Sequence, residues 1–300
     1  MIGVSPVRKR ALQFYRDYGR CVALLGVSIL LILTSYIFIS VATTSKLKVT
    51  FLNIGQGDAI LIQTPSGHEM LVDGGPSRTV VEKIIHELPY LDRTLDVVVE
   101  THPDADHITG LIPVLDSFRV LNIVTSPLDG HTGIFDELND RVISEGAQVH
   151  VAKAGDVIDF GDGVIVYVLY PNKNFHGSNK ATNDASVSLL IVYGDESVLL
   201  TGDLPSSYEG ELISDLLPQG VTIYKAGHHG SKYSSGEQLL SYIRPEYAVI
   251  SAGKDNKYGH PNPEAVERLR KYSKEVLSTI DHGSITFELD GKGIDVLEEK

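Results

Sequence analysis

The chain has 300 residues, 42% hydrophobic and 22% charged, with a single cysteine, a balance that excludes a disordered, collagen-like or low-complexity polymer. The lone thiol, Cys21, excludes a disulfide framework and every cysteine-based metal or redox motif, so any metal must be held by His, Asp, Glu or Asn. A formal charge of −13 excludes a grip on nucleic acid through a broad basic face, which needs clustered Lys and Arg.

The charge is unevenly spread. Residues 1–20 carry Arg8, Lys9, Arg10, Arg16 and Arg20 against Asp17 alone, and residues 21–42 carry no charged side chain. At about 1.5 Å rise per residue this uncharged stretch spans roughly 33 Å, enough for a bilayer core. The sequence therefore predicts a basic N-terminal segment (1–20), one transmembrane helix (21–42) and a single soluble domain (46–300) of formal charge −17. Basic residues ahead of the span predict a single-pass protein of the cell membrane, with its N-terminus in the cytoplasm and its body outside. Ser40-Val41-Ala42 is similar to a signal-peptidase site. The apolar stretch exceeds the core of a cleaved signal, however, which favours an uncleaved anchor.

Beyond the anchor, apolar runs of strand length recur: Leu47–Leu52, Ala59–Gln63, Met70–Val72, Leu95–Val99, Val120–Val124, Val164–Leu169, Val187–Val192, Ser197–Leu200, Val221–Tyr224, Tyr247–Ile250 and Ser284–Leu289. Helical spacing appears in Val80–Leu88, Ile108–Ser117, Ile134–Glu145, Ser206–Leu217, Glu237–Ile243 and Pro263–Tyr272. The order predicts an α/β sandwich of two halves, each contributing a sheet covered by helices.

The chemistry follows the strands. Gly55-Gln56-Gly57-Asp58 looks like the start of a dinucleotide fingerprint, but a strand-like run follows it instead of a phosphate-binding helix, so a hairpin is expected. The segment Thr101-His102-Pro103-Asp104-Ala105-Asp106-His107 ends an apolar strand and opens a helical pattern, a turn on which two imidazoles and two carboxylates converge as metal ligands. Asp203 ends Ser197–Leu200, His228 and His229 follow Val221–Tyr224, and His260 follows Tyr247–Ile250. Loops at the ends of strands lie on one sheet edge, where ligands bind.

These loops occur in the order of the metallo-β-lactamase superfamily, whose motif is His-x-His-x-Asp-His followed by separate His, Asp and His ligands. The sequence resembles most closely the subgroup of extracytoplasmic hydrolase domains found in ComEC-type DNA-uptake competence proteins. The resemblance rests on Asn53–Ala59, Leu71–Gly75, His102–Gly110, Asn183–Ser186, Thr201–Asp203, Lys225–Ser231 and Gly259–Pro261, and covers residues 47–290. It implies a four-layer αββα sandwich after the transmembrane helix and two divalent ions, Zn²⁺ or Mn²⁺. One ion would be held by His102, Asp104 and either Asn183 or Asp184, the other by Asp106, His107 and one of His228 and His229, with Asp203 between them. Asp104 and Asn183-Asp184 stand where most of the superfamily has histidine, which shifts the donors towards oxygen and harder ions.

The implied activity is hydrolysis of phosphodiesters, including DNA, by a hydroxide bridging the two ions, with Asp106, His228, His229 and His260 at the reacting centre. The second histidine of the pair and His260 would protonate the leaving group or bind phosphate. Asp73 and Asp58 would orient ligands or substrate from behind, and Asn183 or Ser231 would orient substrate or cap a turn. Two ions add positive charge locally, so an acidic body is compatible with a nucleic-acid substrate, and Lys225, Lys232, Arg244, Lys254 and Lys257 offer a positive rim. The alternatives are a hydrolase of another cell-envelope ester or lactam, and a non-catalytic partner of an uptake channel. One predicted span is few for a channel, so a channel would be a separate protein.

Overall fold

A computed structural model describes residues 6–42, 46–173, 175 and 181–299. The chain divides into two compact units at Ser45 and Lys46. The first contains one helix, α1 (Pro6–Ala42), which begins inside the basic segment and continues through the uncharged stretch without a break. Its apolar side chains from Val22 to Leu33 stand exposed around the helix. Over Arg16–Ser35 the helix is long and apolar enough to cross a membrane.

The second unit is built on strands β1 (Leu47–Phe51), β2 (Ile60–Gln63), β3 (Glu69–Val72), β4 (Thr94–Val99), β5 (Arg119–Thr125), β6 (Gln148–Val151), β7 (Val157–Asp159), β8 (Val164–Tyr170), β9 (Ser188–Tyr193), β10 (Glu196–Leu200), β11 (Ile223–Lys225), β12 (Tyr247–Ile250), β13 (Glu275–Ser278), β14 (Ile285–Leu289) and β15 (Ile294–Glu298). Among the described residues they form two sheets, ordered β15-β14-β1-β2-β3-β4-β5-β6 and β13-β12-β11-β10-β9-β8-β7. Alternation along each strand serves two cores. In β2, Ile60 and Ile62 join Val49, Met70 and Val72 between the sheets, against Leu189, Ile191 and Val198, whereas Leu61 joins Leu71 and Val98 on the helix side. Helices α2 (Thr79–Glu87), α3 (Ala105–Ile108), α4 (Leu111–Leu115) and α5 (Gly133–Glu145) flank the first sheet. On the second sheet, α6 (Ser206–Glu209), α7 (Glu237–Ile243) and α8 (Pro263–Tyr272) cover Leu199, Tyr224 and Ala248, and α9 (Thr279–His282) follows β13. This is the four-layer αββα sandwich expected from the sequence.

Several features differ from expectation: β6, β7, β13 and β15 lie outside the expected apolar runs, and the helix expected over Ser206–Leu217 is only α6 followed by a 3₁₀ turn at Gly210–Leu212. The chain does not give one sheet per half: β14 pairs antiparallel with β1, matching Val49 to Phe287, so the C-terminal hairpin returns to the first sheet. That pairing satisfies the outer edge of β1 and sets Phe51 edge-on to Phe287 at 5.9 Å. The helix expected over Ile108–Ser117 is split at Thr109-Gly110, where the Gly110 amide donates to the Gly75 carbonyl at 2.9 Å, and Gly110 packs so closely on Gly74 that a Cβ would lie 1.8 Å from the Gly74 carbonyl oxygen.

The topology places the site. β1 and β3 both run antiparallel to β2, and β3 is parallel to β4, so β1, β3 and β4 all end at the same edge of the first sheet. In the second sheet β10, β11 and β12 are parallel and likewise end together.

Candidate metal centre

The Thr101–His107 turn leaves β4 extended through Asp104 and enters α3 at Ala105, which folds His107 back so that its ring lies 4.0 Å from that of His102. Asp203 follows β10, and its Oδ2 lies 3.9 Å from His102 Nε2, 3.4 Å from His107 Nε2 and 3.5 Å from Nε2 of both His228 and His229. Asp106 Oδ2 lies 3.5 Å from His229 Nε2, and Asp104 Oδ2 lies 3.7 Å from His102 Nε2. One carboxylate oxygen thus faces four imidazole nitrogens.

The rear nitrogen of each buried histidine is anchored. Thr101 Oγ1 donates to Asp73 Oδ2 at 2.6 Å and so is left to accept from His102 Nδ1 at 3.0 Å. His107 Nδ1 donates to Asp73 Oδ2 at 2.8 Å, and His229 Nδ1 donates to the Ser251 carbonyl at 3.0 Å. The front nitrogens, Nε2 of His102, His107 and His229, are buried and have no hydrogen-bond partner. Anchored rear and orphaned front nitrogens are the arrangement of metal-ligating histidines. Ligand-competent atoms of His102, His107 and Asp203, and of Asp106, His107 and His229, lie within 4.8 Å of one another.

Charge points the same way. Asp58, Asp73, Asp104, Asp106 and Asp203 surround the centre with Lys225 as the buried ammonium. With the histidines neutral, as they would be when holding metal, these groups leave four negative charges, the formal charge of two divalent ions. Burial opposes protonation of His107, yet Asp203 and Asp73 raise its pKa well above the usual range. Burial likewise opposes the His229 imidazolium, but Asp203 and Asp58 push it up to about 9. Burial and neighbouring His107 lower His102 to about 3, leaving it a neutral donor. The residues present therefore fit a pair of divalent ions, in donor chemistry and in field.

Three of the six described non-glycine residues with positive φ lie here. Asp73, His228 and His229 take the left-handed conformation, with φ of 59°, 49° and 54°. Such strain costs about 1–3 kcal/mol per residue and clusters at functional sites. Gly57 is required for a different reason, since a Cβ there would meet the Asp106 carbonyl oxygen at 2.1 Å. That close approach seats the Asn53–Asp58 loop against the metal-binding turn.

The structure brings His102, Asp104, Asp106, His107, Asp203, His228, His229, Asp58 and Asp73 together as the sequence suggests. It separates the two alternatives at 183–184: Asn183 Nδ2 lies 3.4 Å from His228 Nδ1, whereas the Asp184 carboxylate accepts from Tyr208 at 3.3 Å. The histidine pair is also divided. His229 is buried among the carboxylates, and His228 is partly exposed, with the His260 ring 5.4 Å away. Ser231 is buried and accepts from the Tyr233 amide, closing its own turn.

Two participants escape the sequence reading. Thr101 links Asp73 to His102. Lys225, expected on a positive rim, is fully buried: its Nζ pairs with Asp58, donates to the Gly202 carbonyl at 3.2 Å and lies 3.6 Å from Asp203 Oδ1. Burial disfavours the Lys225 ammonium, but Asp58 and Asp203 outweigh it and raise its pKa. Burial similarly penalises Asp58, and Lys225 with His229 brings it down to about 2. The signal available was strand alternation, which puts Lys225 on the same inter-sheet face as Ile223.

This fold and this centre define the class. The sequence model of the Metallo-beta-lactamase superfamily matches residues 52–254, and the chain belongs to that superfamily. It is 30% identical to ComE operon protein 3 of Bacillus subtilis (strain 168), over 84% of this chain and 34% of that protein. It is 31% identical to competence protein ComA of Neisseria gonorrhoeae, over 83% of this chain and 33% of that protein. The chain thus spans about a third of the length of the curated relatives it matches. The fold is shared with CmlA, a diiron beta-hydroxylase from Streptomyces venezuelae, at a TM-score of 0.53 and 15% identity, over 81% of this chain and 54% of that one.

Proposed function

We propose that this chain is a metal-dependent phosphodiesterase acting on nucleic acid, carried on a membrane anchor with its catalytic body outside the cytoplasm. The observation that carries the reading is the convergence of three anchored histidines, by their orphaned Nε2 atoms, on one oxygen of Asp203. His102 and Asp104 would hold one divalent ion, Asp106, His107 and His229 the other, and Asp203 both. The oxygen-rich donor set admits Mn²⁺ alongside Zn²⁺. Bound ions of this kind supply a nucleophile from water at neutral pH and offset charge on attacking and leaving oxygens.

The chain's own residues bind and orient the substrate. Burial, with Lys225 and His229 nearby, lowers His228 although Asp203 opposes this, and burial together with His228 lowers His260. Both rings are then neutral at pH 7 and serve a phosphate oxygen as N–H donors. With the Asn183 amide donating to its Nδ1, His228 carries its proton on Nε2, facing the centre. The exposed apolar surface of α1 and the basic residues of its N-terminal part support anchoring with the N-terminus inside. The competence relatives support a DNA-uptake setting.

The test is hydrolysis by the full chain in detergent micelles, with Mn²⁺ or Zn²⁺, of single-stranded DNA, duplex DNA, bis-p-nitrophenyl phosphate and a chromogenic lactam. The phosphodiesters are expected to be cleaved and the lactam left intact. Cleavage of the lactam alone overturns the substrate class, and inertness towards all four returns the chain to a scaffold role.

A further inference from the structure

A row of rings leads out of the metal centre. The His228 ring, beside Asp203, stands 5.4 Å from the His260 ring at 70°. His260 in turn lies 6.0 Å from Tyr258, the two planes only 15° apart. Tyr258 is 50% exposed, and Lys257 Nζ sits 4.9 Å from its ring centroid. A second unit of the same kind stands on the neighbouring loop, three residues after Gly230: Tyr233 is 68% exposed, with Lys232 Nζ 5.3 Å from its ring.

Neither ring is on a loose tip. Asn256 accepts from the backbone amides of Tyr258 and His260 at 3.1 and 3.0 Å and donates to the Gly253 carbonyl at 2.9 Å. Arg268 donates to the carbonyls of Lys232, Ser234 and Ser235. The two loops are tied together, since Lys232 donates its amide to Asn262 Oδ1 at 2.8 Å and the Asn262 amide donates to the Gly230 carbonyl at 2.9 Å. The backbone that carries both rings is therefore held in place before any ligand arrives, which lowers the ordering cost of binding.

Exposed aromatic faces, each paired with an ammonium and fixed beside a phosphate-cleaving centre, match the chemistry of an unpaired nucleic-acid strand. Bases stack on rings without regard to sequence, and lysines follow the phosphates. A small ester or a lactam has no base to place on either ring. Duplex DNA keeps its bases inside their own stack, so it cannot use these platforms without being opened.

We propose that Tyr258, together with Tyr233, forms a base-stacking subsite that makes single-stranded nucleic acid the preferred substrate of this centre. The inference rests on the phosphodiesterase reading above. The lysines that flank the rings give the acidic body a local positive track, so capture of the strand needs no broad basic face.

The experiment compares kcat/KM of the full chain in detergent micelles for a single-stranded oligonucleotide, an abasic oligonucleotide of the same length and charge, the corresponding duplex, and bis-p-nitrophenyl phosphate. The wild type should favour the base-bearing strand over the abasic one by about a hundredfold, the scale of two lost stacking contacts, and should favour it over the duplex. Tyr258→Leu should lower the ratio of oligonucleotide to bis-p-nitrophenyl phosphate turnover by about tenfold. Tyr258→Phe should restore the ratio. Equal turnover of base-bearing and abasic strands, or loss in Tyr258→Leu that is equal on both, overturns the subsite. These outcomes leave the phosphodiesterase reading standing, which fails separately if the wild type cleaves neither bis-p-nitrophenyl phosphate nor any strand.

Discussion

Replacing Asp203 with asparagine lowers divalent-ion affinity by about a hundredfold or more, since even residues behind metal ligands are worth about 10–100-fold. Asp203 lies between two demands. Its Oδ2 faces Nε2 of His102, His107, His228 and His229, and its Oδ1 faces the Lys225 ammonium. An amide meets one demand at most. Turned one way its NH₂ points at Lys225, donor against donor; turned the other way it points into the metal position and removes the shared oxygen. The negative charge is lost in either case, so hydrolysis should fall together with binding. Titration of Mn²⁺ into the variant, followed by its phosphodiesterase rate, checks the prediction. Wild-type affinity would show that Asp203 holds no ion. The unfolding midpoint of the ion-free variant serves as the control for folding.

Lys225→Met has its main effect on stability. The substitution keeps the length of the side chain but strands the Asp58 carboxylate in a fully buried position beside Asp203. Breaking a buried ion pair from one side costs about 3–5 kcal/mol. For a domain of this size that is a fall of roughly 10 °C in the melting midpoint. Asp58→Asn in the same chain removes the stranded charge, and the double variant should recover most of the loss. A single variant that melts with the wild type would mean that water or a rearranged side chain already satisfies Asp58. Thermal unfolding followed by circular dichroism reads both outcomes.

The residues that carry the centre were legible because they cluster. Two imidazoles and two carboxylates fall within His102–His107, directly after a run of buried β-branched residues, and no ordinary solvated turn needs that set. The sandwich was legible because both faces of the inner strands are apolar, as in β2 and β3. What sequence could not supply are relations between distant positions. Lys225 and Asp58 are 167 positions apart, and nothing local marks them as one buried pair. Thr101 reads as a strand end until Asp73 is placed across from it. β15 carries charge and exposed residues at an edge, which hides its alternation, and the return of β14 to β1 is a property of the closed sheet. The different surroundings of Asn183, beside His228, and of Asp184, beside Tyr208, are facts of the same kind.

This edge of the sandwich is expected to hold two divalent ions. The direct measurement is ion content per chain, by mass spectrometry, after the full-length protein in detergent has been stripped with chelator, equilibrated with Mn²⁺ or Zn²⁺ and passed through a desalting column. Two ions per wild-type chain are expected, and fewer than one in Asp203→Asn. Background ion content in the wild type, or two ions retained by the variant, would contradict that expectation.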